Sequence, residues 1–245
     1  VRYEWKKMMS GKVWLILSAF LILNFCIYYV YLIPYISYHQ EALTEFSQSN
    51  YEQEYYEFIE GLKERASVMN GISIFNKEGG YAKRNIEKTV NDFARVEGIS
   101  IEPMIDSSME ALHSFYLSDV FMLLIVCLFC FQGCGKDFKS GMTDLIRTTP
   151  KGKMQIRLAR IQAVICSVLL TGMILYGSNI LLTGFSVGFG KISNYVQGMP
   201  MFRNMSFPCT VGTYLLLFLI WKLAALVFTV LVIQFLTARF QGQRI

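Results

Sequence analysis

Four long blocks of the sequence carry almost no charge, and they limit what the chain can fold into more than any other feature. Residues 13–33, 161–185 and 211–236 form runs of 21, 25 and 26 residues in which Lys222 is the only charged side chain. About 20 apolar helical residues are enough to cross the ~30 Å hydrocarbon core of a bilayer. The fourth block, 120–131, is shorter, but its flanking residues extend it to bilayer length. The sequence therefore predicts four transmembrane helices.

The charged segments between these blocks alternate in sign, and the alternation orients the chain. Residues 1–12 carry four basic and one acidic side chain, and residues 134–160 carry seven basic and two acidic ones. Residues 34–115 instead carry 14 acidic and seven basic side chains. Because short basic loops stay in the cytoplasm, we expect both termini and the 134–160 loop inside and the acidic segment outside. Basic residues beside apolar spans do not suggest nucleic acid as a partner, since a nucleic-acid-binding protein clusters them on one soluble face.

The predicted fold is an all-α integral membrane protein with four transmembrane helices and a small helical extracytoplasmic domain between the first and second. Within that domain, apolar spacing predicts helices over 41–69 and 81–96. With about 80 residues it can bury only a modest core, so we expect either an acidic cap that packs on the spans or a partner, or a surface that recognises a cationic ligand. The predicted segments are a cytoplasmic interfacial segment (1–12), helix 1 (13–33), the extracytoplasmic domain (34–115), helix 2 (116–134), a cytoplasmic loop (135–160), helix 3 (161–185), an external loop (186–210), helix 4 (211–237) and a cytoplasmic tail (238–245).

No residue pattern in the sequence predicts an enzyme or a metal site. His39 and His113 stand at the two ends of the predicted outer domain without a clustered Cys, Asp or Glu partner. Cys127 and Cys130 have the CxxC spacing of metal and redox sites, but they lie inside an apolar block and are expected to pack there. A P-loop is missing as well. We therefore predict no catalytic, cofactor-binding or metal-binding residues, and no enzyme activity on this chain.

Lys222 is the one charge inside the fourth block. A lysine near the bilayer centre costs roughly 2.5–3.5 kcal/mol on insertion scales, so it usually faces protein or water. It can extend toward the membrane surface, pair with a carboxylate on a neighbouring span, or line a translocation path. Asp119, at the outer end of the second predicted span, is the candidate partner. Lys222 and Asp119 are therefore the residues that we predict for a translocation path.

The loop between the second and third spans has an amphipathic pattern. Phe138, Met142, Leu145 and Ile146 follow one another at i, i+4, i+7 and i+8, which places them on one face of a helix. Pro150 ends this helix. A short basic amphipathic helix can lie at the membrane surface or dock into a groove of a soluble partner, and the pattern leaves both open.

This loop resembles the corresponding loop in the permease subunits of ABC-2-type transporters. There an acidic residue, a glycine, a leucine, a Thr-Pro-like turn and basic residues follow the second span. The matching positions here are Asp137, Gly141, Leu145, Thr149, Pro150, Lys153 and Arg160, with Asp in place of the usual Glu. The opening YEWKKMMSGKVW also resembles the N-terminal interfacial helix of that family.

The resemblance implies a permease subunit of an ATP-driven ABC transporter in a bacterial plasma membrane, with export as the direction. Its partners would be cytoplasmic ABC ATPase subunits, a second permease copy, identical or related, and the lipid bilayer. The loop would be the coupling helix that contacts the ATPase, through Asp137, Phe138, Lys139, Gly141, Met142, Leu145, Ile146, Arg147, Pro150 and Lys151. Permeases of this family usually have six spans, and four are predicted here, so the resemblance implies an incomplete chain.

Two other functions also fit the sequence. Permeases of the FtsX or MacB type have one span, an external domain and then three spans, and they transmit force across the membrane for an ATPase. Their cytoplasmic loop usually lacks a Thr-Thr-Pro turn like the one at 148–150. A membrane sensor or assembly protein without transport activity is the third alternative. The sequence leaves the substrate open.

Overall fold

The computed structural model describes residues 5, 11–46, 51–72, 80–139 and 152–242. Within these ranges every regular element is a helix, so the predicted all-α class is confirmed. Three short 3₁₀ turns, Ala94–Val96, Val196–Gly198 and Pro200–Phe202, accompany the α-helices. The α-helices are α1 (Gly11–Phe46), α2 (Tyr51–Gly71), α3 (Tyr81–Phe93), α4 (Ser107–Ser114), α5 (Leu117–Lys139), α6 (Gly152–Ser186) and α7 (Val211–Gly242).

Four helical segments are long and apolar enough to cross a bilayer, as the sequence predicts. They are Lys12–Tyr38, Ser107–Gln132, Met154–Ser186 and Val211–Thr237. The second segment begins earlier than the predicted residue 116, because α4 places its own apolar residues directly ahead of α5. The protein is therefore a multi-pass membrane protein by the length and composition of its helices.

The first helix differs most from the prediction. The sequence places the end of the first span at residue 33, before Pro34, and a separate long helix over 41–69. Instead α1 continues through Pro34 to Phe46, and α2 begins at Tyr51. Proline removes one backbone hydrogen bond and crowds the carbonyl one turn earlier, but membrane helices accept it where neighbouring groups satisfy the backbone. The helix predicted over 81–96 is present as α3 followed by the 3₁₀ turn.

The chain divides into two compact units. Unit 1 comprises Val1–Ile33, Leu112–Thr183 and Leu217–Ile245, and unit 2 comprises Pro34–Ala111 and Gly184–Leu216. The sequence treats the acidic segment as a domain by itself, whereas the structure folds it together with the connection between α6 and α7. Sequence periodicity cannot reveal this association, because the two segments are more than seventy residues apart.

Unit 1 has one apolar core to which α1, α5, α6 and α7 all contribute. Fully buried members include Val13 of α1, Met122 and Phe129 of α5, Leu175 of α6 and Val230 of α7. Bilayer lipid is as apolar as these side chains, so close packing rather than exclusion of water holds such helices together.

Unit 2 has two smaller cores. The first joins α2 to the turn after α3, and the second joins the segment before α4 to the α6–α7 connection. The backbones in the second approach closely: the Met104 N–H donates to the Gly198 carbonyl at 2.8 Å. The Glu102 carbonyl oxygen occupies the space that a Cβ at position 198 would need, so only glycine fits there. The core members are Tyr51, Tyr55, Ile59, Val96 and Ile101 in the first, and Met104, Met109, Val196, Met199, Cys209 and Val211 in the second.

Candidate functional site

An ion pair joins two of the apolar helices of unit 1. The Lys222 Nζ on α7 donates to both carboxylate oxygens of Asp119 on α5, at 2.9 Å to Oδ1 and 2.7 Å to Oδ2. The Lys222 side chain is 26% exposed and the Asp119 side chain 38% exposed. Each charge therefore has its counterion within direct hydrogen-bonding distance, which offsets part of the cost of removing both from water.

Both members of the pair lie in the middle of their spans. Lys222 is the twelfth residue of the 27-residue segment Val211–Thr237, and Asp119 is the thirteenth of the 26-residue segment Ser107–Gln132. The sequence places Asp119 at the outer end of its span because it begins that span at residue 116, whereas the apolar segment of the structure already begins at Ser107. Asp119 also lies in the first turn of α5, where the positive end of the helix dipole favours a carboxylate.

Aromatic side chains surround the ion pair. The Tyr176 hydroxyl of α6 donates to the Asp119 Oδ1 at 2.8 Å. The Lys222 Nζ lies 5.7 Å from the centre of the Tyr176 ring and 5.5 Å from that of Phe218, within the range of cation–π attraction. The Phe218 ring in turn lies edge-on to the His113 ring, with 5.3 Å between centroids. Residues of α5, α6 and α7 thus form the site, and the Lys222 ammonium interacts with one carboxylate and two aromatic rings.

A second polar group, the Asn24–Ser118–Asn179 triad, joins α1, α5 and α6. Asn24 donates to Asn179 Oδ1 at 3.0 Å, Asn179 donates to Ser118 Oγ at 2.8 Å, and Ser118 donates to Asn24 Oδ1 at 2.8 Å. All three are buried: Asn24 is 1% exposed, Ser118 2% and Asn179 6%. The hydrogen bonds close a ring in which each residue both donates and accepts, so the buried groups satisfy one another.

A buried hydroxyl pair continues the triad by one helical turn. The Tyr28 hydroxyl of α1 lies 2.5 Å from the Thr183 Oγ1 of α6. Because the Thr183 hydroxyl already donates to the Asn179 carbonyl at 2.8 Å, Tyr28 is the donor in this pair. A hydrogen-bonded path therefore runs from the Tyr28 hydroxyl through the Thr183 hydroxyl to the backbone carbonyl of Asn179, a member of the triad.

Members of both polar groups, Lys222 of the ion pair and Ser118 and Asn179 of the triad, line one small cavity within unit 1. The lining combines both polar groups with apolar rings, and it includes Tyr28, Phe115, Ser118, Tyr176, Asn179, Phe218 and Lys222. The cavity holds about 10 Å³, and a site needs about 10–15 Å³ to hold one water molecule. In this conformation the polar groups therefore meet around space for a single water at most.

The predicted coupling residues fall almost entirely outside the described residues. Asp137, Phe138 and Lys139 form the last residues of α5, and only their backbone is described. Gly141, Met142, Leu145, Ile146, Arg147, Pro150 and Lys151 lie outside the described residues. The coupling role of this loop stays a prediction. Within the described part of the chain, no group of three or more His, Cys, Asp or Glu side chains is placed to hold a metal ion.

The sequence indicates Lys222 and Asp119 as a pair, but it does not indicate the triad or Tyr176, which donates to Asp119. A signal for two members was present: Asn24 and Asn179 stand alone in apolar blocks, and polar residues inside spans tend to bond across helices. Ser118 and Tyr176 carry no such signal, since serine and tyrosine are common in membrane helices and only the packing brings them to Asn24 and Asp119.

Comparisons with known proteins add no family assignment. No family model matches the chain, and no curated protein and no solved structure matches it either.

Proposed function

We propose that this chain is the membrane-spanning permease subunit of an ATP-driven transporter, with ATP hydrolysed by separate cytoplasmic ABC ATPase subunits. The observation that carries the proposal is the Asp119–Lys222 ion pair in the middle of two apolar spans. Charged residues at that depth are rare, costly and typical of substrate and ion pathways. A second copy of the chain, or a related permease, would complete the membrane part.

The arrangement of the polar groups supports a role in movement as well as in cohesion. All four spans contribute to these polar groups, through Asn24, Asp119, Tyr176 and Lys222. Tyr176 and Lys222 also line the cavity. Hydrogen bonds and ion pairs have discrete alternative partners, so a polar interface between helices can switch between arrangements where an apolar one only slides. Separation of α5 from α7 would open the cavity and present both charges to a substrate.

The connection between α5 and α6 supports coupling to an ATPase. α5 carries Asp119 and ends at Lys139, and α6 begins at Gly152 and carries Tyr176. The 20 residues from Asp119 to Lys139 cover about 30 Å of continuous helix, so α5 connects the carboxylate to the basic loop without a break. A force applied to the basic loop would act both on α5, which carries Asp119, and on α6, which carries Tyr176.

The direct test is purification of the protein from its native membrane, followed by identification of the ATPase that accompanies it. With that ATPase in proteoliposomes, charge reversal at Lys139, Arg147 and Lys151 should leave basal ATP hydrolysis intact and uncouple it from the permease. Reversal of Lys83, Arg84 and Lys88 on α3 serves as the control with the same change in charge. Recovery of the protein without any ATPase, or full coupling in the loop variant, would contradict the proposal.

The size of the cavity favours a second candidate, a permease that transmits force without moving a substrate. Space of about 10 Å³ is far below the 300–1,000 Å³ of typical small-molecule sites. The two candidates differ in one measurement: a transporter moves a solute across a sealed proteoliposome on addition of ATP, and a force transmitter hydrolyses ATP with no solute flux. In a force transmitter, Lys222→Leu would change how the permease regulates ATP hydrolysis. Neither the wild type nor the variant would move a solute.

The proposed location is a bacterial plasma membrane, with both termini and the α5–α6 loop in the cytoplasm and residues 34–115 outside. The basic character of the 134–160 loop and the acidic character of the 34–115 segment support this orientation. Single cysteines introduced at Lys153 and at Glu87 into a variant without native cysteines would test it. A membrane-impermeant thiol reagent added to intact cells should label position 87 and not position 153, and the reverse pattern would overturn the topology.

A further inference from the structure

Unit 2 contains a groove of about 300 Å³ that the ion pair and the triad do not use. One face of α2 forms its floor, because the lining residues of that helix recur at i, i+3, i+4, i+7, i+8 and i+11. Arg203, from the connection between α6 and α7, closes one end. The lining consists of Glu54, Glu57, Phe58, Gly61, Leu62, Arg65 and Arg203. The volume is at the lower limit for sites that bind small molecules.

Arg203 is held rigidly at the groove. Its Nη2 donates to the Glu54 carbonyl oxygen at 3.1 Å, and its Cζ lies 4.8 Å from the centre of the Phe58 ring. Its Nε is buried and has no hydrogen-bond partner among the described residues. Arg203 therefore closes this end of the groove through its guanidinium, which is held by the Glu54 carbonyl and the Phe58 ring.

The two ends of the groove differ in net charge. Glu54 and Glu57 lie at the N-terminal end of the face, where Arg203 offsets one of their two negative charges, and Arg65 lies at the other end. The eight residues from Glu57 to Arg65 correspond to about 12 Å along the helix. Among the described residues Arg65 has no ion-pair or hydrogen-bond partner, unlike Lys63 of the same helix, which pairs with Glu97. The groove therefore presents an end of net negative charge and a basic end at Arg65, which has no partner in the part of the chain that the structure describes.

The centre of the groove is apolar and open. Phe58 and Leu62 lie on either side of Gly61. A Cβ placed on Gly61 would have no atom within 4 Å, so glycine leaves free volume where most helical residues would fill it. Glycine costs about 1 kcal/mol relative to alanine in a helix interior, and at this position no packing contact requires it. An apolar side chain of a ligand fits this space.

From this geometry we propose that the groove binds a short zwitterionic peptide with apolar side chains, its ammonium group at Glu54 and Glu57 and its carboxylate at Arg65. An extended tripeptide spans about 10 Å, which suits the separation of the two charged ends, whereas a single amino acid is too short to reach both. The site involves unit 2 alone and does not depend on whether the chain transports anything.

Binding of trileucine to the purified full chain in nanodiscs, measured by calorimetry, tests the proposal. N-acetyl-trileucine lacks the ammonium group and trileucine amide lacks the carboxylate, and each should bind about tenfold more weakly or worse, because a charge-assisted hydrogen bond is lost. Absence of saturable binding by trileucine below about 10 mM, or equal binding of all three peptides, would overturn the proposal.

Variants assign each end of the peptide. Glu57→Gln should abolish the preference for the free ammonium over the acetylated form, and Arg65→Gln should abolish the preference for the acid over the amide. Glu87→Gln and Arg84→Gln, which remove the same charges from exposed positions of α3, should change neither preference. If the α3 variants change the two preferences as much as the groove variants do, the peptide binds elsewhere.

Gly61→Leu tests the apolar centre. The leucine side chain enters open space and should stabilise α2, yet it should fill the groove and reduce trileucine affinity at least tenfold. Gly71→Leu is the matched control, because a Cβ at the end of α2 also meets no atom within 4 Å and lies outside the groove. Wild-type affinity in the Gly61→Leu variant, with the helix intact by circular dichroism, would show that the groove is not the site.

Discussion

Lys222 donates to both oxygens of Asp119, and each residue is the only counterion within hydrogen-bonding distance of the other in the part of the chain that the structure describes. Removing one partner leaves a charge in an apolar setting, whereas removing both leaves none. The effect of the pair on stability and its effect on function can therefore be separated by single and double variants.

We expect Lys222→Met and Asp119→Asn each to lower the stability of unit 1 by about 1–3 kcal/mol, a value reduced for the partial exposure of both side chains. The double variant should recover most of this loss, because a neutral amide and a thioether need no counterion. Thermal unfolding in detergent gives the three values. Additive losses in the double variant would mean that the residues do not interact.

Function should respond differently from stability. Lys222→Leu should still insert into the membrane, since a leucine improves the apolar character of the span, but coupled activity should fall. The stable double variant should remain inactive as well, because the charges are absent. An active double variant would reduce the ion pair to a purely structural contact and remove the main support for a translocation path.

The hydrogen-bonded triad gives a second prediction. Asn179→Leu should destabilise unit 1 by about 1–2 kcal/mol, because it leaves buried Asn24 and Ser118 without one partner each. Ser178→Ala is the neighbouring control: among the described residues, the Ser178 hydroxyl bonds only to the Leu175 carbonyl of its own helix, at 2.8 Å. Thermal unfolding of the two variants should therefore differ. Equal midpoints for both would contradict a cohesive role for the triad.

The sequence predicts the span number and the charged pair well because both depend on local composition. Long uncharged runs identify spans without any knowledge of packing, and a lone lysine in such a run requires a partner. Asn24 and Tyr176 could not be assigned in the same way, because their role depends on which helix faces lie opposite each other. The end of α1 lies beyond the predicted residue 33, because the helix continues through Pro34 to Phe46, and local propensity alone predicts a stop at proline.

The contact between α6 and α7 at Gly172 gives a third prediction. A Cβ at Gly172 would lie 2.8 Å from the Leu226 Cδ1 and 3.1 Å from the Leu223 Cδ2. These atoms end flexible side chains, so Gly172→Ala should cost little, whereas Gly172→Leu should separate the helices and cost about 1–3 kcal/mol. A Cβ placed on Gly177 of the same helix would meet no atom within 4 Å.

Gly177→Leu is therefore the matched control for Gly172→Leu, with the same substitution five residues further along α6. We expect it to leave stability unchanged or raise it by up to about 1 kcal/mol, through the higher helix propensity of leucine. Thermal unfolding of both variants in the same detergent makes the comparison. A loss at position 177 as large as at position 172 would mean that α6 and α7 do not meet through Gly172.

Asp106 of unit 2 gives a prediction on pH. Its Oδ2 accepts from the Met201 N–H at 2.8 Å, and its Oδ1 is buried without a hydrogen-bond partner among the described residues. Burial raises the pKa of the Asp106 carboxyl from 3.8 to about 6; the Met201 N–H bond opposes this shift, and the charge of Glu110 adds to it. The folded protein thus holds this proton more firmly than the unfolded chain does.

The contribution of Asp106 to stability is therefore complete below about pH 4 and disappears as the pH rises through 6. Relative to Asp106→Asn, which can still accept from the Met201 N–H, the wild type should lose about 1–2 kcal/mol of stability between pH 4 and 7, after allowance for partial exposure.

Glu102 should show the opposite pH dependence, because hydrogen bonds from Lys191 and Asn194 lower the pKa of its carboxyl. Its contribution is present above its ordinary pKa and is lost as the pH falls. Unfolding midpoints of wild type, Asp106→Asn and Glu102→Gln across this range separate the two residues, and parallel curves for wild type and Asp106→Asn would show that Asp106 ionises as it does in the unfolded chain.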